Sequence, residues 1–401
     1  MKPTGVFVRG VGAWTPLGSD WPSSFERLCE GESAIAPIES FDVEGFPTRV
    51  GACITQCRSP NEDPRVVLAV RAAREAWSRA EIAVQPGRIG IFVGAEAGRP
   101  VFSAAAELAA ACTEGDSFDQ GRFARAGLRR WREVRAGWDS PAAVASRLAS
   151  ELGATGPVQT VSLACASGAM AIVAAVRALR EGVCDAALCG GVGADVDPFT
   201  LAGFGLLGAL SARGVARPFD ARRDGFVLGE GAAMMVLARE RGDSSVEVCG
   251  LGCSSDAYHL TAPEPSGAAA RRAMSTAMRE AGVDRLDCVQ AHGTSTLLND
   301  AVEAASLREV LGSNCPSTYV SSVKGALGHP IAAAGAIGFA CAAQAVASGI
   351  IVPTAGLTSI DPDCALRHVT GQAVHQTVES AMVNSLAFGG ANCSIVLRRC
   401  S

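Results

Sequence analysis

The chain has 401 residues, 48% of them hydrophobic and 19% charged, with 45 glycines, few aromatics and a formal net charge of −5. That composition can bury a large core and suits tightly packed α/β layers, while the acidic balance argues against general affinity for nucleic acid. The 15 cysteines are scattered without a CxxC pair, as expected for reduced thiols in the cytoplasm rather than a disulfide framework. The N-terminal stretch is broken by Pro3, Gly5, Arg9 and Gly10 and does not read as a signal peptide. Ile331 to Val352 carries no charge and is long enough to cross a bilayer, but it is mostly Ala and Gly, so a buried helix leading into a strand is expected instead.

In chain order, Val6 to Val11 reads as a first strand and Trp21 to Glu30 as a short helix. A second helix is expected over Pro64 to Ala80, and Ile89 to Val93 reads as a buried strand stopped by Gly94. From Gly121 to Trp138 six arginines stand against one glutamate, which is either a solvated helix face or a dock for an acidic partner. Val158 to Leu163 reads as a strand, Ala166 to Arg180 as a helix stopped at Gly182, and Ala186 to Cys189 as the next strand. A glycine-rich loop is expected at Gly203 to Gly208 and a strong strand at Ala232 to Leu237, with the polar run Arg239 to Ser245 as the best boundary between two halves. Beyond it lie a helix over Gly267 to Ala281, a strand over Leu286 to Gln290, a helix over Asp300 to Val310 and a strand over Tyr319 to Val323. Strands with intervening helices on this scale imply a layered α/β fold with helices on both faces of the sheet.

The chemistry concentrates at strand ends. Cys165 falls on a strand-to-helix turn, where free N–H groups and the positive end of the helix dipole favour a thiolate. It reads either as a nucleophile or as a small buried hydrophobe. Of five histidines, His292 and His329 stand at strand-to-loop junctions in glycine-rich surroundings, where sites are built. One Cys and two His also match a zinc site, but Lys324 lies five residues before His329 on the same turn, and its ammonium disfavours a second cation unless it pairs elsewhere. Glu303 is the expected partner for Lys324.

The blocks LACASG around Cys165, AHGTSTLLND around His292, KGALGHPIAAAG around His329 and NSLAFGGAN around Phe388 resemble the signature blocks of the β-ketoacyl-acyl-carrier-protein synthases, closest to the elongating branch. Further blocks, GFGLLGALSARGVARPFDARRDGFVLGEGA and CSSDAYHLTAPEPSG, also look familial, whereas Ala95 to Pro141 matches poorly. The resemblance implies a thiolase-type fold, in which two similar α/β halves form a five-layered αβαβα structure. Residues 1–245 would be the half with the nucleophile and 246–401 the half with both active-site histidines.

By the same resemblance, Cys165 would take an acyl chain from a carrier thioester, and His292 and His329 would assist decarboxylation of a malonyl thioester and stabilise its enolate. The backbone N–H groups of Cys165 and Phe388 would form the oxyanion hole, with Phe388 also gating the pocket. Lys324 paired with Glu303 would hold the polarity of the site, and Thr294 and Thr296 would bind the pantetheine arm. Arg65, Arg213, Arg132 and Arg135 would dock the acidic acyl carrier protein. No metal or cofactor is implied beyond the carrier's phosphopantetheine, and a homodimer or a heterodimer with a related ketosynthase-like subunit is expected, in fatty-acid-like or type II polyketide biosynthesis. The alternatives are an acyltransferase or cyclase without decarboxylation, or a non-catalytic partner subunit, against which the intact Cys165 counts. Leu163 stands where the family more often has Thr, and Ala387 and Ala391 replace the Gly and Thr of the gating loop, which suggests a stiffer hinge and a specialised pathway.

Overall fold

The computed structural model describes residues 5–58, 62–98, 102–130 and 140–400. Eleven strands form its main sheet: β1 (Phe7–Trp14), β2 (Ile89–Gly94), β3 (Val158–Val161), β4 (Ala186–Ala194), β5 (Glu230–Ala238), β6 (Val246–Ser255), β7 (Cys288–Gln290), β8 (Tyr319–Ser321), β9 (Arg367–His368), β10 (Ser380–Leu386) and β11 (Ala391–Arg399). Their order is β9-β8-β7-β10-β11-β6-β1-β5-β4-β2-β3. On one side of the middle, β3, β2 and β4 run parallel, and β5 and β1 follow antiparallel. On the other side β8, β7 and β10 run parallel, and β11 and β6 follow antiparallel. The same motif therefore occurs twice, and its two copies meet edge to edge at β1 and β6, where Phe7 lies opposite Glu247.

Apolar runs without alternation, such as the fully buried β5 (EGAAMMVLA) and β2 (IGIFVG), are what a sheet covered on both faces requires. Three cores match that demand. Between the outer helices α2 (Pro64–Ala80) and α5 (Ala142–Leu152) and the first half-sheet lie Leu68, Ile91, Leu148 and Val236. Between the second half-sheet and the outer helices α8 (Ala268–Ala281) and α9 (Leu297–Leu311) lie Met274, Val289, Leu307 and Met382. The central core holds α6 (Ser167–Arg180) and α10 (Ala334–Ser348) between the half-sheets, with Ile172, Val176, Ile337 and Phe339 at its middle. The result is a five-layered αβαβα arrangement of two similar halves, as the resemblance implies.

The uncharged stretch thus forms the innermost helix. The run Ile331–Ser348 is apolar and long enough for a membrane span, but 83% of it is buried inside the protein, and the two-residue strand Ile350–Ile351 follows. Its Ala and Gly content serves close approach. A Cβ on Gly168 of α6 would lie 2.7 Å from the Ala332 carbonyl oxygen, and one on Gly335 of α10 would lie 2.9 Å from the Ala169 nitrogen. The two central helices consequently touch backbone to backbone beside the site.

Two elements depart from expectation. The segment expected as a loop at Gly203 to Gly208 belongs largely to the helix α7 (Pro198–Leu206), started by the Asp197 carboxylate, which accepts from the Phe199 and Thr200 N–H groups at 2.9 and 3.1 Å, and by Pro198 at its first position. The cap outweighs two interior glycines. The long strands β6, β10 and β11 carry most of the second half-sheet and are additional to the expected elements. Two further helices, α3 (Phe102–Ala110) and α4 (Gln120–Arg129), lie in the poorly matching region. On α4 the arginines 122, 125 and 129 are exposed and none of its residues is buried, whereas Arg132 and Arg135 lie outside the described residues.

Candidate active site

Cys165 sits where β3 runs into α6, within the single 3₁₀ turn Ala164–Ala166 that precedes the helix. The residue before it, Ala164, holds a left-handed φ of +49°. For a residue with a Cβ this conformation costs roughly 1–2 kcal/mol, so the surroundings must impose it. The turn is held by Glu96, two residues beyond the end of β2, whose carboxylate accepts from the Ala164 N–H at 2.8 Å, from Ser167 Oγ at 2.8 Å and from Ser162 Oγ at 2.7 Å.

The two histidines come from the other half. His292 follows β7, and the Ala291 N–H before it donates to the Ser321 carbonyl at the end of β8 at 2.8 Å. His329 follows the one-turn helix Lys324–Leu327 and is pinned by its N–H to the Val227 carbonyl at 2.7 Å. The imidazole rings stand nearly perpendicular with centroids 5.6 Å apart, and Phe226 packs edge-on to His329 at 5.3 Å. Donor atoms of Cys165, His292 and His329 all lie within 4.8 Å of one another, and all three residues are buried. Neither ring nitrogen of His329 has a hydrogen-bond partner among the described residues, so both are free for a substrate.

Burial, followed by the charge of Lys324, holds both imidazoles well below the usual histidine range, so they are neutral. Lys324 Nζ bonds the His292 carbonyl oxygen and lies 3.4 Å from His292 Nδ1. An ammonium facing Nδ1 leaves that nitrogen as acceptor and puts the ring proton on Nε2. The expected Lys324–Glu303 ion pair is not formed. Glu303 instead accepts the backbone N–H groups of His292 and Gly293, both at 2.8 Å, and Asn384 Nδ2 at 3.2 Å. Two converging amides and an amide side chain capture this carboxylate, which shapes the His292 loop directly and acts on Lys324 only through its charge. Burial lowers the Lys324 pKa to about 8, with Glu303, Cys165 and Asp300 opposing it.

Cys165 also departs from expectation. Burial pushes its thiol up to about 12; the Lys324 ammonium and the backbone N–H groups of Phe388 and Cys165 pull it down, and Glu96 pushes it further up. At rest the nucleophile is therefore a thiol rather than a thiolate, because desolvation outweighs the helix terminus. Its proton must pass to a neighbouring base when it attacks. The backbone N–H groups of Phe388 and Cys165 both act on the sulfur, which places two donors beside the position where a thioester oxygen would develop charge.

A cavity of about 310 Å³ leads to these groups, lined among others by Cys165, His292, His329, Thr294, Thr296 and Phe388. Thr294 Oγ1 and Thr296 Oγ1 lie 2.9 Å apart on its wall. The loop expected to gate the cavity is latched at two points. The Ala387 N–H donates to the Ala391 carbonyl at 2.8 Å, and the Gly389 N–H to the Leu260 carbonyl at 2.7 Å. Its left-handed residues are Gly389 and Gly390, whereas Ala387 has an ordinary extended φ of −111°, so alanine fits this position without strain in this state.

Of the expected docking arginines, Arg213 is exposed. Arg65 is not available to a partner: it is only 4% exposed, and its guanidinium bonds the Asp63 carboxylate and the Glu96 carbonyl oxygen. A sequence motif alone carries no sign that Asp63, capping the same helix, draws the arginine inward. Glu96 and Asp300 escape the sequence reading. The first lies in the poorly matching region, although a lone carboxylate just past a buried strand is the signal that could have found it. The second lies fully buried in the first turn of α9, accepting from the Thr294 and Ser295 N–H groups of the His292 loop at 2.9 and 3.0 Å and from the Phe219 N–H at 2.9 Å.

A thiol from one half and two neutral imidazoles from the other, converging on a tunnel in a doubled five-layer fold, define a thiolase-type acyl-transferring site. Residues 4–242 match the β-ketoacyl synthase N-terminal domain and residues 245–358 its C-terminal domain. The tetracenomycin polyketide synthase ketoacyl synthase alpha subunit of Streptomyces glaucescens is 32% identical, over 98% of this chain and 97% of its own. The 3-oxoacyl-[acyl-carrier-protein] synthase 2 of a Synechocystis strain is also 32% identical, over 98% of both chains. Among solved structures, the ishigamide ketosynthase/chain length factor superposes with a TM-score of 0.85 at 30% identity, covering 100% of both chains. This chain belongs to the β-ketoacyl synthase family, whose members are acyltransferases that form carbon–carbon bonds.

Proposed function

We propose that this protein elongates a carrier-bound acyl chain by decarboxylative Claisen condensation, in a fatty-acid-like or type II polyketide pathway. The observation that supports this above the others is the approach of the Cys165, His292 and His329 donor atoms within 4.8 Å of one another, with Lys324 fixing the His292 tautomer. Cys165 Sγ attacks the thioester carbonyl of an acyl carrier, its proton leaves through an imidazole, and the carrier thiol departs, leaving an acyl-Cys. A malonyl thioester then binds in the same tunnel with its carbonyl oxygen against the two imidazoles. Loss of CO2 leaves an enolate, whose charge the His292 Nε2–H and an N–H of His329 stabilise. Its carbon attacks the acyl-Cys carbonyl, whose oxygen is held by the N–H groups of Cys165 and Phe388, and the expelled thiolate takes up a proton from solvent to return as a thiol.

Retention of both histidines and Lys324 favours this over plain acyl transfer, which needs fewer groups. No metal or cofactor is required beyond the carrier's phosphopantetheine: the buried ammonium 3.4 Å from His292 Nδ1 makes the Cys-His-His cluster a poor host for a dication. A solved relative is a type II polyketide ketosynthase in complex with its acyl carrier protein, and another pairs a ketosynthase with a chain length factor. On that precedent the partners here are an acyl carrier protein, met partly through Arg213, and a second ketosynthase-like chain, identical or related, in the cytoplasm. Intact mass after exposure to acyl-carrier thioesters and then malonyl carrier tests the reading. An adduct on Cys165 that is replaced by a two-carbon-longer β-ketoacyl carrier with release of CO2 is the expected result, and an adduct that persists without CO2 release would overturn it.

A further inference from the structure

The two copies of the strand motif place Glu96 and His292 at the same point: each lies two residues beyond the central parallel strand of its half, β2 or β7. The backbone confirms the equivalence. The Ala95 N–H donates to the Val161 carbonyl at 3.1 Å just as the Ala291 N–H donates to the Ser321 carbonyl at 2.8 Å. Where the second half puts an imidazole facing the reacting centre, the first puts a carboxylate gripping the turn behind it. Glu96 holds three groups of that turn, one on Ser162, one on Ala164 and one on Ser167, which bracket Cys165 on both sides. Ser167 Oγ extends the grip, accepting from the Leu163 N–H at 2.8 Å. Glu96 is itself tied down by the buried Arg65, which bonds its carbonyl oxygen.

We propose that Glu96 is a positioning residue for the nucleophile: its carboxylate imposes the left-handed bend at Ala164 and so aims Cys165 Sγ into the tunnel. This rests on the condensing-enzyme reading for its catalytic meaning, although not for its geometry. The carboxylate also has an electrostatic cost. The groups that face Cys165 are Lys324, His292, His329 and the N–H donors of Phe388 and Cys165 on the side that welcomes a thiolate, and Glu96 on the side that opposes it. A residue that opposes the thiolate and is nevertheless bonded three times to its turn serves geometry. Neutral glutamine in its place can keep an acceptor on Ala164 and Ser167 while its amide donates to Ser162, so it separates the two effects.

The test compares wild type, Glu96→Gln and Glu96→Ala, measuring Cys165 acylation from an acyl-carrier thioester and Cys165 alkylation by iodoacetamide across pH, both by mass of the peptide that carries Cys165. Glu96→Ala is expected to slow acylation at least about tenfold, and to be alkylated more slowly than Glu96→Gln at each pH, because the sulfur is no longer aimed. Glu96→Gln is expected to acylate within about threefold of wild type and to shift its alkylation profile to lower pH, as loss of a nearby negative charge demands. Glu96→Ala acylated as fast as wild type and alkylated as fast as Glu96→Gln would overturn the proposal, as would Glu96→Gln as impaired as alanine. Should the alanine variant not fold, Glu96→Asp, whose shorter carboxylate keeps the charge but cannot reach all three groups, takes its place, wild-type acylation by it counting against. A wild type that accepts no acyl group from any carrier would sink the condensing-enzyme reading, while the alkylation comparison would still decide on Glu96.

Discussion

The two halves of the molecule share one strand order and divide the chemistry between them. Both place a 3₁₀ turn ahead of their central helix, Ala164–Ala166 before α6 and Ile331–Ala333 before α10, and both open that turn with a left-handed non-glycine residue, Ala164 at +49° and Ile331 at +36°. In the first half the turn is short and carries the thiol. In the second a one-turn helix precedes it, and the added length delivers Lys324 and His329 to the seam. A repeated scaffold can thus supply a nucleophile from one copy and the acid–base groups from the other, since the loops at strand ends vary while the layers do not.

Substitutions can undo this division, most severely at the sulfur itself. Cys165→Ala is expected to abolish the acyl adduct entirely while leaving the melting temperature close to wild type, as intact mass and thermal unfolding would show. His292→Ala and His329→Ala are expected to cut CO2 release from malonyl carrier by about 10²–10³-fold each and to slow first acylation less, because the remaining imidazole can still take the thiol proton whereas the enolate charge needs both. Equal losses in both half-reactions would mean that the halves do not divide the work. Gly168→Ala pushes a methyl against the Ala332 carbonyl, where the central helices meet; overpacking of this kind costs about 1–3 kcal/mol, measurable by denaturant unfolding, and it should misplace Cys165 as well.

Gentler perturbations probe the same division. Lys324 is charged below about pH 8 and neutral above it, burial having lowered it from the ordinary lysine value. Decarboxylation is therefore expected to fall as pH rises through about 8, as the ammonium that fixes the His292 tautomer is lost. Lys324→Met should be slow at all pH values and lack that limb. Ala387→Gly should change least. Since Ala387 is already extended, glycine gains no native contact and adds unfolded-state freedom, costing about 0.5–1 kcal/mol, while stopped-flow acylation should show a gate that opens somewhat faster.

Much of the site is legible in the sequence because it sits in contiguous motifs: Cys165, His292, His329, Lys324 and Phe388 each stand in a short block, and the structure gathers them at the tunnel. Pairings between distant elements are not legible in the same way. Glu303 takes two backbone amides instead of Lys324, Arg65 turns inward to Asp63 and Glu96, and burial overrides the helix terminus at Cys165. Each outcome depends on which groups meet after folding and on how much water remains. The helix at Pro198–Leu206 is obscured by its glycines, although Asp197 and Pro198 announce its start. The internal duplication leaves no tandem repeat of short period and emerges only from strand order.

The contact of α6 with α10 has a kinetic consequence. With their glycines nested backbone to backbone and β1 abutting β6, a clamshell opening of the two halves would have to break the central core. Among the described residues the cavity that reaches Cys165 is lined by Leu207, Thr261 and Leu298, and the acyl donor and the extender are expected to share that approach. The first carrier has to depart before the second can enter. Initial velocities measured against both thioesters should accordingly give parallel double-reciprocal lines, the ping-pong signature of a site that remembers its first visitor only as the group left on sulfur.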